Sequence, residues 1–411
     1  MSLLIKNCTL RHREELWDVY CEGKEIRTIG QELKRNAETV LDAAGKLLVP
    51  AFIEPHIHLD KVNILDSVRK NVSGTLTEAI EIIWDRKKQY TDEDVIERAG
   101  AVLDQALMNG TLAVRTHVDI DTIGGLKPLQ GIFALRERYQ DKMTLQLVAF
   151  PQEGIIKDPG SDKLMDEAMR LGCDIVGGMP ANEFTPADSL EHVQYCFDLA
   201  EKYDADIDMH VDETDDPFYR TLEMVADETI KRGWQGRVTA GHTCALAAYD
   251  DHYAAYVIEK VARAGIHMIT NPVTNLMLQG RLDKQPIRRG ITRVKELLEA
   301  GVNMSFGQDC VNDTFYPLGN ADMLQVANVT VHAAQMSLPA ELEKVFDMIT
   351  TDANKILKLE GYGLEEGCNA NLVMIDAKNI REAIALCPNR PYVIREGKIL
   401  VKNELKTEYF F

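Results

Sequence analysis

The chain has 411 residues, enough for two or three average domains or for one large α/β barrel with a smaller attachment. Its 46 basic residues stand against 65 acidic ones, and the net charge of −19 repels phosphate backbones and anionic lipid, which argues against nucleic-acid polymers and membrane surfaces as partners. Eight scattered cysteines without a Cys-x-x-Cys pair, and an amino-terminal stretch without a basic segment leading into a long apolar core, predict a cytoplasmic protein whose thiols are mostly small buried hydrophobes.

Residues 1–50 read as short strands at 3–6, 16–21, 25–29 and 39–41, punctuated by Gly23, Gly30 and Gly45. From Leu48 the texture changes to strand followed by amphipathic helix, repeated, the pattern of a parallel sheet covered by helices. The first such strand, 48–58, is an apolar run ending in His56-Ile57-His58. Side chains alternate along a strand, so the two histidines project from one face, as two ligands of one ion would. Helices are predicted over 75–90 and over 92–108, the second capped by Thr91 and stopped by Gly110. Seven further strands follow, at 111–119, 144–150, 174–176, 206–213, 237–240, 266–270 and 302–306, with helical segments such as 190–203, 221–232, 254–264 and 291–300 between them. Beyond a helix-like stretch at 341–357, strands return at 371–376, 392–395 and 398–401 and are expected to pair with the amino-terminal ones. The expected architecture is therefore α/β: a (β/α)8 TIM barrel over 51–365, with a small β-sandwich domain built discontinuously from 1–50 and 366–411.

In such a barrel chemistry sits at the carboxyl ends of the strands. His56, His58, Gln152, His210, Glu213, His242 and Asp309 all fall at or just beyond a predicted strand end. His56, His58, His210 and Asp309 together offer three imidazoles and a carboxylate, an N3O shell suited to one divalent ion per subunit, Zn or Fe, used for hydrolysis. Glu213, three residues after His210, could move protons between water and a bound base. His242 could steady the attacking oxygen, and the Gln152 amide offers the donor and acceptor needed to read a cyclic amide edge. His117 also sits at a strand end, where a structural hydrogen-bonding part is the simpler expectation.

The segments Pro55-His56-Ile57-His58-Leu59-Asp60-Lys61, Ala149-Phe150-Pro151-Gln152-Glu153-Gly154, His210-Val211-Asp212-Glu213, Leu278-Gln279-Gly280-Arg281, Arg288-Arg289-Gly290-Ile291-Thr292-Arg293 and Tyr316-Pro317-Leu318-Gly319 resemble the amidohydrolase superfamily, and within it the bacterial cytosine deaminase family. The resemblance implies a mononuclear site with His56, His58, His210 and Asp309 as ligands, Glu213 as proton shuttle, His242 supporting the attacking hydroxide and Gln152 holding a small-molecule pyrimidine. Binuclear relatives use a lysine after strand four, where this chain has Gly177-Gly178-Met179-Pro180, so a second metal is not expected.

Two departures bear on substrate. Where the family has a second aspartate after the metal aspartate, this chain has Cys310, and where it has a tryptophan before Tyr-Pro-Leu-Gly it has Phe315. A thiol is smaller than a carboxylate and uncharged when protonated, which opens room for a methyl group. With Leu76 as a further wall residue, the expected substrate is 5-methylcytosine, deaminated to thymine, with cytosine also accepted. The alternatives are another cyclic amidine, such as isocytosine, isoguanine or creatinine, a lactam opened by hydrolysis, or a barrel that binds without catalysis. A homo-oligomer is expected.

Overall fold

The computed structural model describes residues 2–411. The apolar run that opens the barrel is one stretch in sequence but two strands in space. β1 (Ser2–Thr9), β2 (Leu16–Glu22), β3 (Glu25–Gly30), β4 (Thr39–Asp42) and β5 (Leu47–Pro50) belong to a first sheet, and the chain passes at Ala51 into β6 (Phe52–Ile57) of a second. The Ala51 amide donates to Asn371 O and the Phe52 amide to Gly110 O, so neighbouring residues bond to different sheets. Leu48 faces the core of the first sheet with Leu3, Ile5 and Leu372, while Leu47 and Val49 face the main core. Burial on both faces explains why this segment is continuously apolar.

The second sheet holds eight parallel strands in chain order: β6, β7 (Thr111–Asp119), β8 (Thr144–Phe150), β9 (Ile175–Gly178), β10 (Asp206–Val211), β11 (Val238–His242), β12 (His267–Thr270) and β13 (Met304–Phe306). Helices on its outer face make this the expected (β/α)8 barrel. The ring closes just past β13, where Asp309 N donates to His56 O (2.8 Å) and His58 N donates to Asp309 O (2.9 Å). Gly307 permits that closure. A Cβ there would stand 2.6 Å from His56 O and 2.8 Å from Glu54 Oε1.

The returning strands β14 (Leu372–Ile375), β15 (Tyr392–Arg395) and β16 (Lys398–Lys402) complete the first sheet, in the order β16-β15-β14-β5-β1-β2-β3 with β4 beside β1. The amino- and carboxyl-terminal strands thus meet at the β5–β14 pair, as their pattern predicts. Helix Asp92–Met108 begins at Thr91, whose side chain accepts from Asp94 N, and it buries Val95, Ala99, Val102, Leu103 and Ala106 at helical spacing. The helix-like stretch 341–357 is two helices, Pro339–Asp347 and Thr351–Leu357, because the chain turns at Met348–Thr350 to lay the Ile349 carbonyl on the Ile53 amide of β6. Among the described residues no helix is long and apolar enough to cross a membrane, and all eight cysteines are free.

Candidate active site

The closing seam builds the centre of the site. β6 delivers His56 and His58 and β10 delivers His210, and the seam bonds pin Asp309 across from them. One ligand atom from each of these four residues lies within 4.8 Å of all the others. His58 Nε2 is 2.9 Å from His210 Nε2, and Asp309 Oδ1 is 3.5 Å from His56 Nε2 and 3.4 Å from His58 Nε2. Asp309 adopts φ 64°, a left-handed conformation that costs a non-glycine residue strain and that collects at functional sites. Glu54 braces the seam from beneath by accepting from His56 N (3.0 Å) and from Gln308 N (3.0 Å).

Burial holds all three imidazoles well below the ordinary histidine pKa, so they are neutral. Both ring nitrogens of His56, and Nδ1 of His58 and of His210, have no hydrogen-bond partner among the described residues. Buried neutral nitrogens converging on one carboxylate are an electron-rich cradle, and this donor set fits a divalent cation such as Zn or Fe(II). Gly241 gives the His56 ring its room, since a Cβ there would lie 3.0 Å from it.

Glu213 and His242 stand beside this cluster. Asp212, at φ 46°, ends β10 by accepting from Thr221 Oγ1 (2.7 Å), Thr221 N (3.1 Å) and Leu222 N (3.0 Å), which anchors it to helix Thr221–Arg232 and turns Glu213 inward. Glu213 Oε1 is 3.2 Å from His242 Nδ1, and Asn275 Nδ2 lies within hydrogen-bonding distance of both. Burial first, then the negative charge of Asp309, raises the Glu213 carboxyl well above the ordinary glutamate pKa. Burial lowers His242 to about 3. A carboxyl with a raised pKa beside an imidazole with a lowered one is equipped for acid–base work near neutral pH.

Two connected spaces lie over this machinery. The outer is a cavity of about 290 Å³ lined by Leu76, Ile80, Met179, His210, Glu213 and Gln279, among others. The inner is a recess of about 20 Å³ lined by Lys61, Gln152, Thr274, Cys310 and Phe315 together with Leu76, His58, His210, Glu213 and Asp309. Every residue singled out from the sequence for pocket, ligand or proton-carrier roles therefore borders these spaces or touches a residue that does.

The sequence reading missed Lys61. Its Nζ donates to Asp119 Oδ1 (2.8 Å) and to Gln152 Oε1 (2.9 Å), which fixes which way the Gln152 amide points. Behind it Lys87 Nζ lies 2.6 Å from Asp119 Oδ2 and from Asp121 Oδ2, and 3.2 Å from Glu153 Oε1. Both lysines are fully buried, and the surrounding carboxylates keep them charged. His117, expected to be structural, lies with Nε2 3.3 Å from Asp208 Oδ1 and its ring 4.2 Å from that of His56. Arg115 completes that support, donating to Asp208 Oδ2 at 2.8 Å.

Known proteins resemble the whole of this arrangement. The 5-methylcytosine deaminase from Klebsiella pneumoniae, in its crystal structure liganded with 5-fluorocytosine, superposes with a TM-score of 0.95 at 38% identity, covering 99% of each chain. The N-isopropylammelide isopropyl amidohydrolase of Pseudomonas sp. (strain ADP) is 29% identical over 411 residues, 98% of each chain. The pterin deaminase of Rhizobium rhizogenes is 31% identical over 363 residues, covering 87% of this chain and 82% of that protein. The sequence pattern of the Amidohydrolase family matches residues 39–401, which take in all eight barrel strands and every residue of the candidate site, and the chain is an enzyme of that family.

Proposed function

We propose that the chain is a metal-dependent hydrolytic deaminase of a free pyrimidine base, converting 5-methylcytosine to thymine and ammonia in preference to cytosine. One observation carries this reading. The recess beside Glu213 is lined both by polar groups, Lys61 and Gln152, and by the neutral side chains of Cys310 and Phe315. A planar base seated across the recess and the outer cavity, with a carbonyl toward the polar groups and a methyl toward the neutral side chains, matches both. The likeness to the Klebsiella 5-methylcytosine deaminase supports it.

His56, His58, His210 and Asp309 would hold the ion, which when bound supplies a Lewis acid that makes water nucleophilic near neutral pH. The chain's own groups do the rest. With Oε1 held by Lys61, Gln152 turns Nε2 toward the pocket, where its nearest protein partner is Met179 Sδ at 3.2 Å. That amide and the Lys61 ammonium form a donor pair for the ring carbonyl. Glu213, carrying a proton, delivers it to ring N3 as water oxygen bonds to C4. The neutral His242 steadies that oxygen, and Asp309 takes up the proton that the water releases. Asp309 then passes that proton to the exocyclic nitrogen, the C4–N bond breaks and ammonia leaves, and the proton of the C4 hydroxyl returns to Glu213 as the new carbonyl forms. Burial keeps the Cys310 thiol protonated, so the thiol itself presents no charge to the 5-methyl group.

A second reading follows from the outer cavity, whose volume of about 290 Å³ would accommodate a larger cyclic amidine such as isoguanine. The test is ammonia release by metal-loaded protein from 5-methylcytosine, cytosine, isocytosine, isoguanine and creatinine, with the products identified. Thymine from 5-methylcytosine as the fastest product supports the proposal. A faster isoguanine reaction overturns it in favour of the wider ring, and a faster isocytosine or creatinine reaction overturns it in favour of another single-ring amidine.

A further inference from the structure

Asn275 is fully buried on the short helix Pro272–Leu278, which follows β12. Its Nδ2 is 3.2 Å from Glu213 Oε1 and 3.0 Å from His242 Nδ1, and those two atoms are 3.2 Å from each other. Three polar atoms therefore form a nearly equilateral triangle away from bulk water. An amide nitrogen carries two hydrogens, so one Asn275 can donate to the carboxyl oxygen and to the imidazole nitrogen at once. Among the described residues it is the only side chain that donates to the Glu213 carboxyl group.

The backbone gives Asn275 little freedom to do otherwise. Its amide donates to Asn271 O and its carbonyl accepts from Gln279 N, both at 2.9 Å. Gly290, at φ 78°, packs so closely that a Cβ there would come within 2.9 Å of Asn275 O. Gln279 in turn donates from Nε2 to the Glu213 carbonyl (3.3 Å), so the helix grips Glu213 at backbone and side chain together. Thr274, Leu278 and Gln279 border the substrate spaces, whereas Asn275 lines neither of them.

We propose that Asn275 is a positioning residue for the deamination, a double donor that holds the Glu213 carboxyl and the His242 imidazole at one point. Without it the Glu213 side chain loses the amide that donates to it and is free to rotate away from the ring nitrogen it must protonate. Because Asn275 does not line the substrate spaces, its loss acts on kcat and leaves KM nearly unchanged. This inference rests on the reading of Glu213 as the proton carrier.

The experiment compares wild type, Asn275→Ala and Asn275→Asp, the last keeping the shape while removing the double donor, on whichever amidine the wild type turns over fastest. Both variants should lose about a hundredfold in kcat, the scale of a misplaced catalytic group, with KM within about twofold and with metal content and thermal midpoint retained. In a Glu213→Gln background Asn275→Asp should cost almost nothing further, since both changes break one unit. Wild-type kcat in Asn275→Asp, a loss confined to KM or metal content, or full additivity with Glu213→Gln would each overturn the assignment. If the wild type turns over none of the amidines, the functional reading fails, and the ¹⁵N shifts of His242 decide the contact. A Nδ1 signal that moves in Asn275→Asp supports it, and an unmoved one overturns it.

Discussion

Replacing Cys310 by aspartate tests the substrate assignment at its narrowest point. Cys310 is 3% exposed, and its side chain borders a recess of only about 20 Å³, the room of a single small group. A carboxylate there fills the space that the proposal gives to a methyl group and places a negative charge one residue from Asp309. Losing the burial of one methyl costs about 0.8 kcal/mol, roughly a fourfold change in rate, and a steric clash can extend the discrimination to about 200-fold. The ratio of kcat/KM for 5-methylcytosine over cytosine in Cys310→Asp should therefore fall at least fourfold. Cys310→Ser, which keeps the small neutral side chain, should hold the wild-type ratio. Ammonia release with both bases, at matched metal content, measures it. An unchanged ratio in Cys310→Asp would refute the pocket argument.

Further expectations follow from the same geometry. Glu213→Gln should lower kcat by about 10² to 10⁴-fold, the usual worth of a general acid–base group, while elemental analysis finds the metal content unchanged. Chelation should abolish turnover, and Zn or Fe(II) should restore it to wild type but not to His56→Ala, which is expected to bind no ion. Lys61→Met should raise KM by freeing the Gln152 amide, and should lower stability by about 3 to 5 kcal/mol by leaving Asp119 without one of its two buried cations, measurable by denaturant unfolding. Away from the site, burial lowers His267 from 6.5 to about 4. The unfolded chain then binds a proton that the folded chain refuses, so this residue costs stability as pH falls from about 6.5 and costs most below about 4. The thermal midpoint of His267→Asn should vary less across that window than that of wild type.

The residues that were legible in the sequence are those whose neighbours in the chain announce them. His56 and His58 end an apolar run, and Glu213 follows a strand that carries His210, so strand periodicity alone puts them on the mouth of a barrel. Thr91 before an acidic first turn marks a helix start, and the helix begins there. What stayed hidden depends on distant contacts. Lys87 belongs to the run Arg86-Lys87-Lys88, which reads as a solvated helix end, yet its ammonium is buried among carboxylates from two other strands' ends. Lys61 lies in the quoted His-x-His segment, but only the fold shows that it aims Gln152. Asn275 has no periodic signature, and its meaning comes from β10 and β11 arriving beside it. The division of the run 47–57 between two sheets was likewise invisible, because a strand buried on both faces looks the same whichever sheet it joins.

The most direct test of the central claim is kcat/KM of the purified, metal-loaded protein for 5-methylcytosine and for cytosine, followed by ammonia release. The account predicts that 5-methylcytosine is favoured by about tenfold or more, the scale of one well-fitted methyl group. Equal values, or a preference for cytosine, would contradict it.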